Sequence, residues 1–471
     1  APLCQEARAQ NMTAFIDCNG LQISGATEEV MYQDIAANFA SDGWEVMTID
    51  GHDFQAIYQA LHHSVNRTDN PVAIIARTVM GKGVSLMEHK EEFHGRALTD
   101  DEIAKALAEL GLENDLARYR EMRKSNNMPA HVHPPVIPVV VNSGTPKTYG
   151  KDEKTDNRSA FGNALKDIGQ LSCGVQTCTP VAVLDCDLAT SVKTMGFQVA
   201  APGHFFQGGI QEHNTATMAG ALSVSGVLTF FADFGVFGVD ETYNQHRLND
   251  INEGNVKLVC THIGLDVGED GKTHQCIDYI GVLSNTFGYR AIIPADPNQT
   301  DRAVRYVAGA QGNFFVGMGR SKIATILDET GNPFFAGDYR FEYGKADLLR
   351  QGDKAAILTM GAMVPYALKA WEQLKAKGIS VKLYNVSCPM DIDAAALKDA
   401  AASGLIITIE DHNARTGLGS MVANALIDRG LSAKLKKMGV TTYSGSGNPD
   451  LLYKSMGLGV DDLVKAVEEG L

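Results

Sequence analysis

Phe205 to His274 is the stretch around which the rest of the chain is organised. It carries Gly208-Gly-Ile-Gln-Glu-His213, Phe230-Phe-Ala-Asp-Phe-Gly-Val-Phe237, Val259-Cys-Thr-His262 and Gly268-Glu-Asp-Gly-Lys-Thr-His274. A carboxylate, evenly spaced aromatics and histidines thus fall beside short apolar runs that read as strands. One further run, Ala216-Thr-Met-Ala-Gly-Ala-Leu222, reads as a helix. In open parallel sheets, ligands bind beyond the carboxyl ends of the strands. Asn19, Asp187, His262 and Arg320 each lie just past such a run, which makes them site candidates.

Outward from this stretch, apolar runs of strand length alternate with helical stretches along nearly the whole chain. That alternation predicts an α/β protein of three doubly wound domains with mainly parallel sheets. The first domain spans 1–124, with strands at Thr13–Asp17, Glu45–Ile49 and Val72–Ala76. The prolines and glycine of 125–155 exclude helix and central strand, so this stretch reads as a linker. The second domain, 156–330, has strands at 181–185, 227–231, 256–261, 291–294 and 314–318. The third, 346–471, has them at Ala355–Thr359, Val381–Tyr384 and Leu405–Ile409. The chain opens without Met on what reads as the interior of a helix, so a preceding part is expected.

At 471 residues, 44% apolar and 21% charged, the chain is long and apolar enough for several buried cores. No apolar run reaches the roughly 18 residues of a membrane span. A net charge of −15 disfavours nucleic acid and anionic membranes as partners. Eight scattered cysteines read as reduced thiols of a cytoplasmic enzyme, and Cys173 and Cys178 lack the second pair of a metal site.

The Glu-His motif, the aromatic block and Gly-Glu-Asp-Gly-Lys-Thr-His resemble, in order and close to in spacing, the pyrimidine-binding domain of the transketolase family. The resemblance implies the thiamine diphosphate-binding fold twice, in a partial diphosphate-binding domain and a pyrimidine-binding domain, plus a transketolase-type C-terminal domain. It implies thiamine diphosphate and Mg²⁺ (or Ca²⁺) as cofactors. Glu212 matches the family glutamate that bonds the aminopyrimidine; taken alone it is a plain helix-start carboxyl. Phe231, Phe234 and Phe237 match the aromatic cluster, with stacking expected through Phe231 and Phe234; each alone reads as core. Asp187-Leu188-Ala-Thr-Ser191 resembles a segment whose Asp lies beside the cofactor and whose Ser takes a sugar phosphate. Arg158 and Arg320 match two phosphate arginines, suited to bidentate oxyanion binding. His262, Asp270 and His274 match substrate-contacting residues, and His94 a histidine near the diphosphate. Histidine in the roles of His94, His262 and His274 implies acid–base or polarising work.

The resemblance has one gap. Ile16-Asp-Cys-Asn19-Gly-Leu21-Gln-Ile23 looks like the tail of the family's metal motif, with Asn19 and the Leu21 carbonyl as ligands and Ile23 on the thiazolium. Only 18 residues precede Asn19, so the Gly-Asp-Gly half has no place here, and neither have the family's front histidines. The implied reading is a transketolase that moves a two-carbon ketol unit between sugar phosphates. It would work as a homodimer, completed by a front-half polypeptide carrying Gly-Asp-Gly. The alternatives are a catalytically incomplete scaffold or regulatory subunit, a fragment, or a related enzyme such as dihydroxyacetone synthase or 1-deoxyxylulose-5-phosphate synthase. The last of these has Asp-Arg-Ala-Gly where this chain has Thr261-His-Ile-Gly264.

Overall fold

The computed structural model of the chain describes residues 9–125, 137–153 and 155–471, and divides into two units, 1–136 and 137–471. The expected helix interior at the very start lies outside the described residues, as does most of the proline-rich tract.

In the first unit three parallel strands pair in the order Thr13–Cys18, Val72–Arg77, Glu45–Asp50. The central strand is a continuous buried apolar run, as a strand covered on both faces must be. Thr13–Cys18 at the edge alternates exposed and half-buried residues. Ala60, Val72 and Ile74 form a small core with Met47 and Ile49 beside it. Helix Phe54–Asn66 is started by Asp53, whose carboxylate accepts the Gln55 and Ala56 amides. Its apolar residues Phe54, Tyr58, Leu61 and Val65 recur at helical spacing and all stay exposed, Phe54 at 87%.

The second unit contains two larger sheets. Six parallel strands run in the order Arg290–Ile292, Phe314–Gly317, Val256–Thr261, Leu228–Phe234, Val181–Asp185, Phe205–Gln207. Five more run Asp347–Arg350, Val381–Asn385, Ala355–Thr359, Leu405–Asn413, Lys434–Val440, with only Asp347–Arg350 antiparallel. Three of these strands carry no sequence signal strong enough to be expected. Phe205–Gln207 is too short, Asp347–Arg350 is an edge strand, and Lys434–Val440 hides its strand under three lysines.

Side chains alternate across the six-stranded sheet, so Phe230 and Ala232 enter one core while Phe231 enters another. The core that holds Phe231 continues into Ala356, Leu358, Ile406 and Val422 of the five-stranded part, so the two sheets share buried apolar volume. Residues 137–153 lie along this unit. Val139 and Val141 pack on its core, Thr179 donates its amide to the Val140 carbonyl, and Tyr149 is buried. The sheets are also joined by polar contacts. Asp411 accepts the Leu265 amide at 2.7 Å, the Asp266 amide at 3.3 Å and the Tyr453 hydroxyl at 2.7 Å. His412 accepts the Ile280 amide at 3.1 Å.

Candidate active site

All six strands of the larger sheet end at one edge, and the polar residues of the second unit's candidate site gather there. Asp185 ends its strand fully buried and is tied down by the Leu188 amide, the Thr194 hydroxyl and the Gln207 side-chain amide. Gln207 spans two strand ends, because its Oε1 also accepts the amides of Asp187 at 2.7 Å and Gly209 at 3.1 Å. These contacts hold Asp187 exposed, with a left-handed backbone (φ 64°). Gly208 has no room for a side chain, since a Cβ there would meet the Thr215 hydroxyl. Just beyond, Glu212 is the first residue of helix Glu212–Val224 and is buried.

Glu212 sits in an acidic corner. Its carboxylate, the Cys186 sulfur and the Asp233 carboxylate all lie within 4.8 Å of one another. Burial, then the Glu212 and Asp185 charges, pushes the Asp233 carboxyl up to about 8, against the counteracting Phe234 amide and the Cys186 thiol. Burial also pushes the Cys186 thiol upward.

Next to this corner is an aromatic slot. Phe234 faces the His262 imidazole with ring centres 3.7 Å apart and stacks on Phe237 at 6.2 Å; His274 meets Phe237 edge-on at 5.5 Å. His262 reaches Phe234 from a left-handed backbone (φ 58°), a conformation costly for a residue with a Cβ. Phe231 is not part of the slot, which corrects the expectation of stacking through it. It is fully buried in the core against His246, ring centres 6.5 Å apart. The even spacing of three suggests one face, as on a helix. Here Phe231 lies within a strand, Phe234 ends it, and Phe237 lies in the π-turn Val236–Glu241, so the rings point to different places.

Cations collect on the far side of His262. Burial and then Arg158, Arg320, His274 and Lys193 lower its pKa to about 3, so the ring is neutral at ordinary pH. Arg158, on the first turn of helix Asn157–Ser172, donates Nη1 to the Ser191 carbonyl at 3.2 Å and stands 3.7 Å from Asp156. Its Nε is buried with no hydrogen-bond partner. Arg320 donates to the Val267 carbonyl and to Glu269, each at 3.0 Å. Glu269 is exposed, so that ion pair is weak and exchangeable. Lys193 is left-handed (φ 72°) and packs against Gly162, where a Cβ would come within 2.8 Å of the Lys193 Cβ. Asp270 is exposed at the end of the turn Leu265–Asp270, and Leu188 is half-buried against the core.

The remaining expected residues belong to the first unit. Asn19 follows Thr13–Cys18 and uses its Oδ1 to accept the Leu21 amide at 3.0 Å. Leu21 and Gln22 pair with Gly25 and Ala26 in a small hairpin, and Ile23 at its tip is 69% exposed. At the same strand edge the Gly51 amide bonds the Arg77 carbonyl at 2.7 Å, and His52 accepts the Val79 amide at 2.8 Å. His94 is exposed, just after the short helix Glu91–Phe93.

The ring faces of Phe234 and Phe237, with the Glu212 carboxyl beside Asp233, are a set of groups suited to a flat heteroaromatic ring. A divalent cation fits less well at the expected place. Asn19 and the Leu21 carbonyl offer two neutral oxygens, the first already bonded, whereas hard cations of this class favour a carboxylate. Sequence reading missed Asp185, Cys186, Lys193, Gln207 and Asp233. Asp233 was the legible one among them, as a lone carboxylate inside an apolar strand.

Comparison with known families gives three consecutive matches. They are the transketolase thiamine diphosphate binding domain at 2–124, the transketolase pyrimidine binding domain at 153–324 and the transketolase C-terminal domain at 344–463. The chain is 27% identical over 474 residues to transketolase-like protein 2 of Mus musculus, covering 98% of this chain and 71% of that protein. It is 32% identical over 314 residues to a putative transketolase C-terminal section of Methanocaldococcus jannaschii, covering 66% of this chain and 95% of that one. Among solved structures, a split gene transketolase described as an inactive beta4 tetramer is 30% identical, with a TM-score of 0.59 over 68% of this chain and 99% of that one. Transketolase of Campylobacter jejuni, 21% identical, has the same fold, with a TM-score of 0.78 over 99% of this chain and 74% of that one.

Two outcomes follow from this geometry. The His262 ring should stay neutral through pH 5 to 8 when followed by NMR. Because its folded pKa lies below the unfolded one, its contribution to stability is present above about pH 6.5 and lost as pH falls toward about 3. Inorganic phosphate, by offsetting Arg158 and Arg320, should move that titration upward; no movement would mean that the cations do not converge there. Separately, Phe231→Ala should cost about 3–5 kcal/mol of folding stability in urea, and Phe234→Ala clearly less. Equal losses would place both rings in the core.

Proposed function

This chain belongs to the transketolase family, and on that premise we propose that it catalyses transfer of a two-carbon ketol unit from a ketose phosphate to an aldose phosphate. Family membership makes it a transferase-type, thiamine diphosphate enzyme; the reaction and the residue roles that follow are our reading. The observation that carries it is Arg158. A half-buried guanidinium with a buried, unpartnered Nε, near a neutral histidine and a second arginine, is suited to an oxyanion. It stands near His262, the ring that faces Phe234, at the strand-end edge of the six-stranded sheet.

Thiamine diphosphate, when bound, supplies the group that stabilises the carbanion during carbon–carbon bond cleavage. The residues of this chain do the rest. Glu212 holds a proton against a ring nitrogen, and Phe234 with Phe237 fixes the ring plane. Asp187 and Leu188 line the same place. Neutral His262, with His274 near it, accepts and returns protons at the substrate hydroxyls and carbonyl, a role that a charged His262 imidazole would not serve as a base. Asp270 bonds a substrate hydroxyl, and Arg158, Arg320 and Ser191 hold the phosphate. His94 and Ile23 belong to the cofactor's other end. No step is drawn through a metal at Asn19 and Leu21.

Cytoplasmic location and a homodimer are part of the same reading, as is a further polypeptide segment. The exposed stripe Phe54, Tyr58, Leu61 and Val65 supports the last, because an apolar helix face of this extent is a packing face. The occupant would be the front half of the first domain, carrying Gly-Asp-Gly, either as a separate subunit or as part of a longer chain. The split gene transketolase described as an inactive tetramer favours dependence on such a segment.

A coupled ketol-transfer assay tests the reading. The chain alone, with Mg²⁺ and thiamine diphosphate, should be inactive, and a front-half polypeptide should restore turnover. In the restored enzyme Glu212→Gln should lose at least about 10²-fold in kcat, with cooperative thermal melting retained as the control for folding; near-normal turnover would remove Glu212 from its role. Arg158→Ala should raise KM for a ketose phosphate about 10- to 100-fold, from the roughly 1.5–3 kcal/mol of a charge-assisted hydrogen bond. KM for the free sugar should hardly change. Equal losses on both substrates would make Arg158 structural.

A further inference from the structure

Asp233 has no assigned part in the reaction, yet its carboxylate lies within 4.8 Å of that of Glu212. It is the next-to-last residue of Leu228–Phe234 and is fully buried. Its Oδ1 accepts the Phe234 amide at 2.7 Å, while Oδ2 is buried with no partner. The π-turn Val236–Glu241 seals it from above. A Cβ at Gly238 would stand 2.9 Å from the Asp233 Cβ and 2.8 Å from the Cys260 sulfur, so only glycine lets the turn close this tightly.

The titratable groups that face Asp233 are all acids or thiols. Glu212 comes from the helix start, Asp185 and Cys186 from the neighbouring strand end, and Cys260 from the strand on the other side. Two carboxylates within 4.8 Å in a water-poor corner do not both ionise, so the pair retains one proton near neutral pH. Which residue holds it follows from position. Glu212 opens a 13-residue helix, at the end where the unpaired backbone amides point outward. Asp233 has a single amide and full burial, and its carboxyl is pushed up to about 8. A protonated Oδ2 is a donor, and the Glu212 carboxylate is the acceptor that side-chain rotation or one bridging water brings into reach. This accounts for the otherwise unsatisfied Oδ2.

We propose that Asp233 is a positioning acid that keeps one proton in common with Glu212, so that the pair, and not Glu212 alone, is the acid offered to the cofactor ring. The inference rests on the function proposed above for the role of Glu212, but the shared proton itself does not. In use, the Asp233 O–H breaks as an O–H forms on Glu212, and the negative charge passes from Glu212 to Asp233. The reverse shift restores the resting pair. No other reactant is consumed.

Infrared spectroscopy of the full chain without cofactor tests the pair directly. Several buried carboxyls, Asp240 and Glu410 among them, absorb as protonated acids at neutral pH, so the Asp233 band is the component titrating near pH 8 that the wild-type-minus-variant difference spectrum isolates. Asp233→Asn should lose that band. Glu212→Gln should keep it but titrate about one pH unit lower or more, since the repelling charge is gone; this second variant decides the matter if the first fails to fold. Stability gives an independent readout. A carboxyl whose folded pKa is raised stabilises fully below about pH 4, and that contribution is lost as pH rises to about 8. The melting temperature of wild type should therefore fall more steeply across that window than that of Asp233→Asn, by the slope of one proton. In the restored enzyme, Asp233→Asn should shift the alkaline limb of kcat to lower pH. A band unchanged in Asp233→Asn overturns the proposal. So does a stoichiometric divalent ion that is lost in Cys186→Ser, which would make the corner a metal site. If every form lacks ketol transfer but the band behaves as expected, the functional reading fails and the shared proton stands.

Discussion

The site depends on the register in which Val256–Thr261 lies beside Leu228–Phe234, with Cys260 opposite Asp233 and Thr261 opposite Phe234. This parallel pairing brings His262, the next residue along, over the Phe234 ring and leaves Asp233 one step deeper, among thiols and acids. A slip of one residue would send every side chain of the strand to the other face. Asp233 and Phe231, two residues apart and so on one face, would then both turn into the core that now holds Phe230 and Ala232. Continuous apolar strands covered on both faces do not by themselves resist such a slip, so the register is held at the ends. Gln207 fastens two strand ends on one side of the site, and Asp266 accepts the Ser321 amide at 2.7 Å on the other.

The five-stranded part contributes to the site without reaching it. Asp411 takes the amides of Leu265 and Asp266, and Asp266 in turn fixes the backbone next to Arg320. Burial raises the Asp411 carboxyl to about 7, so its hydrogen-bond capacity changes within the ordinary pH range. Read from sequence, residues 346–471 carry no chemistry, and Glu410-Asp-His412 resembles only the family's C-terminal domain. The effect of Asp411 is to make the turn 265–270 a rigid element, and with it the geometry between Arg320 and His262.

Two neighbouring environments treat charge in opposite ways. Around Asp233 the facing groups are acidic and the carboxyl retains its proton; around His262 they are basic and the imidazole is kept without one. Both residues are neutral near pH 7 for the same reason, a charge that burial and like-signed neighbours disfavour. The site therefore holds a neutral acid at one end and a neutral base beside it, a separation of pKa values that acid–base chemistry near neutral pH requires.

The sequence by itself determined the α/β class, the order of elements and nearly all of the parallel strands, because apolar periodicity and turn residues act over a few neighbouring positions. Thr13–Cys18, Val181–Asp185, Val256–Thr261 and Ala355–Thr359 lie where their apolar runs put them, to within a residue. The family motifs also located Glu212, Phe234, Phe237, His262 and His274 near one another. Only the tertiary structure decided that Phe231 belongs to the core, that Asp233 and Cys186 close around Glu212, and that Asp411 braces the turn before Arg320. Each of these depends on burial, and burial is set by residues tens to more than a hundred positions away, which no local pattern encodes.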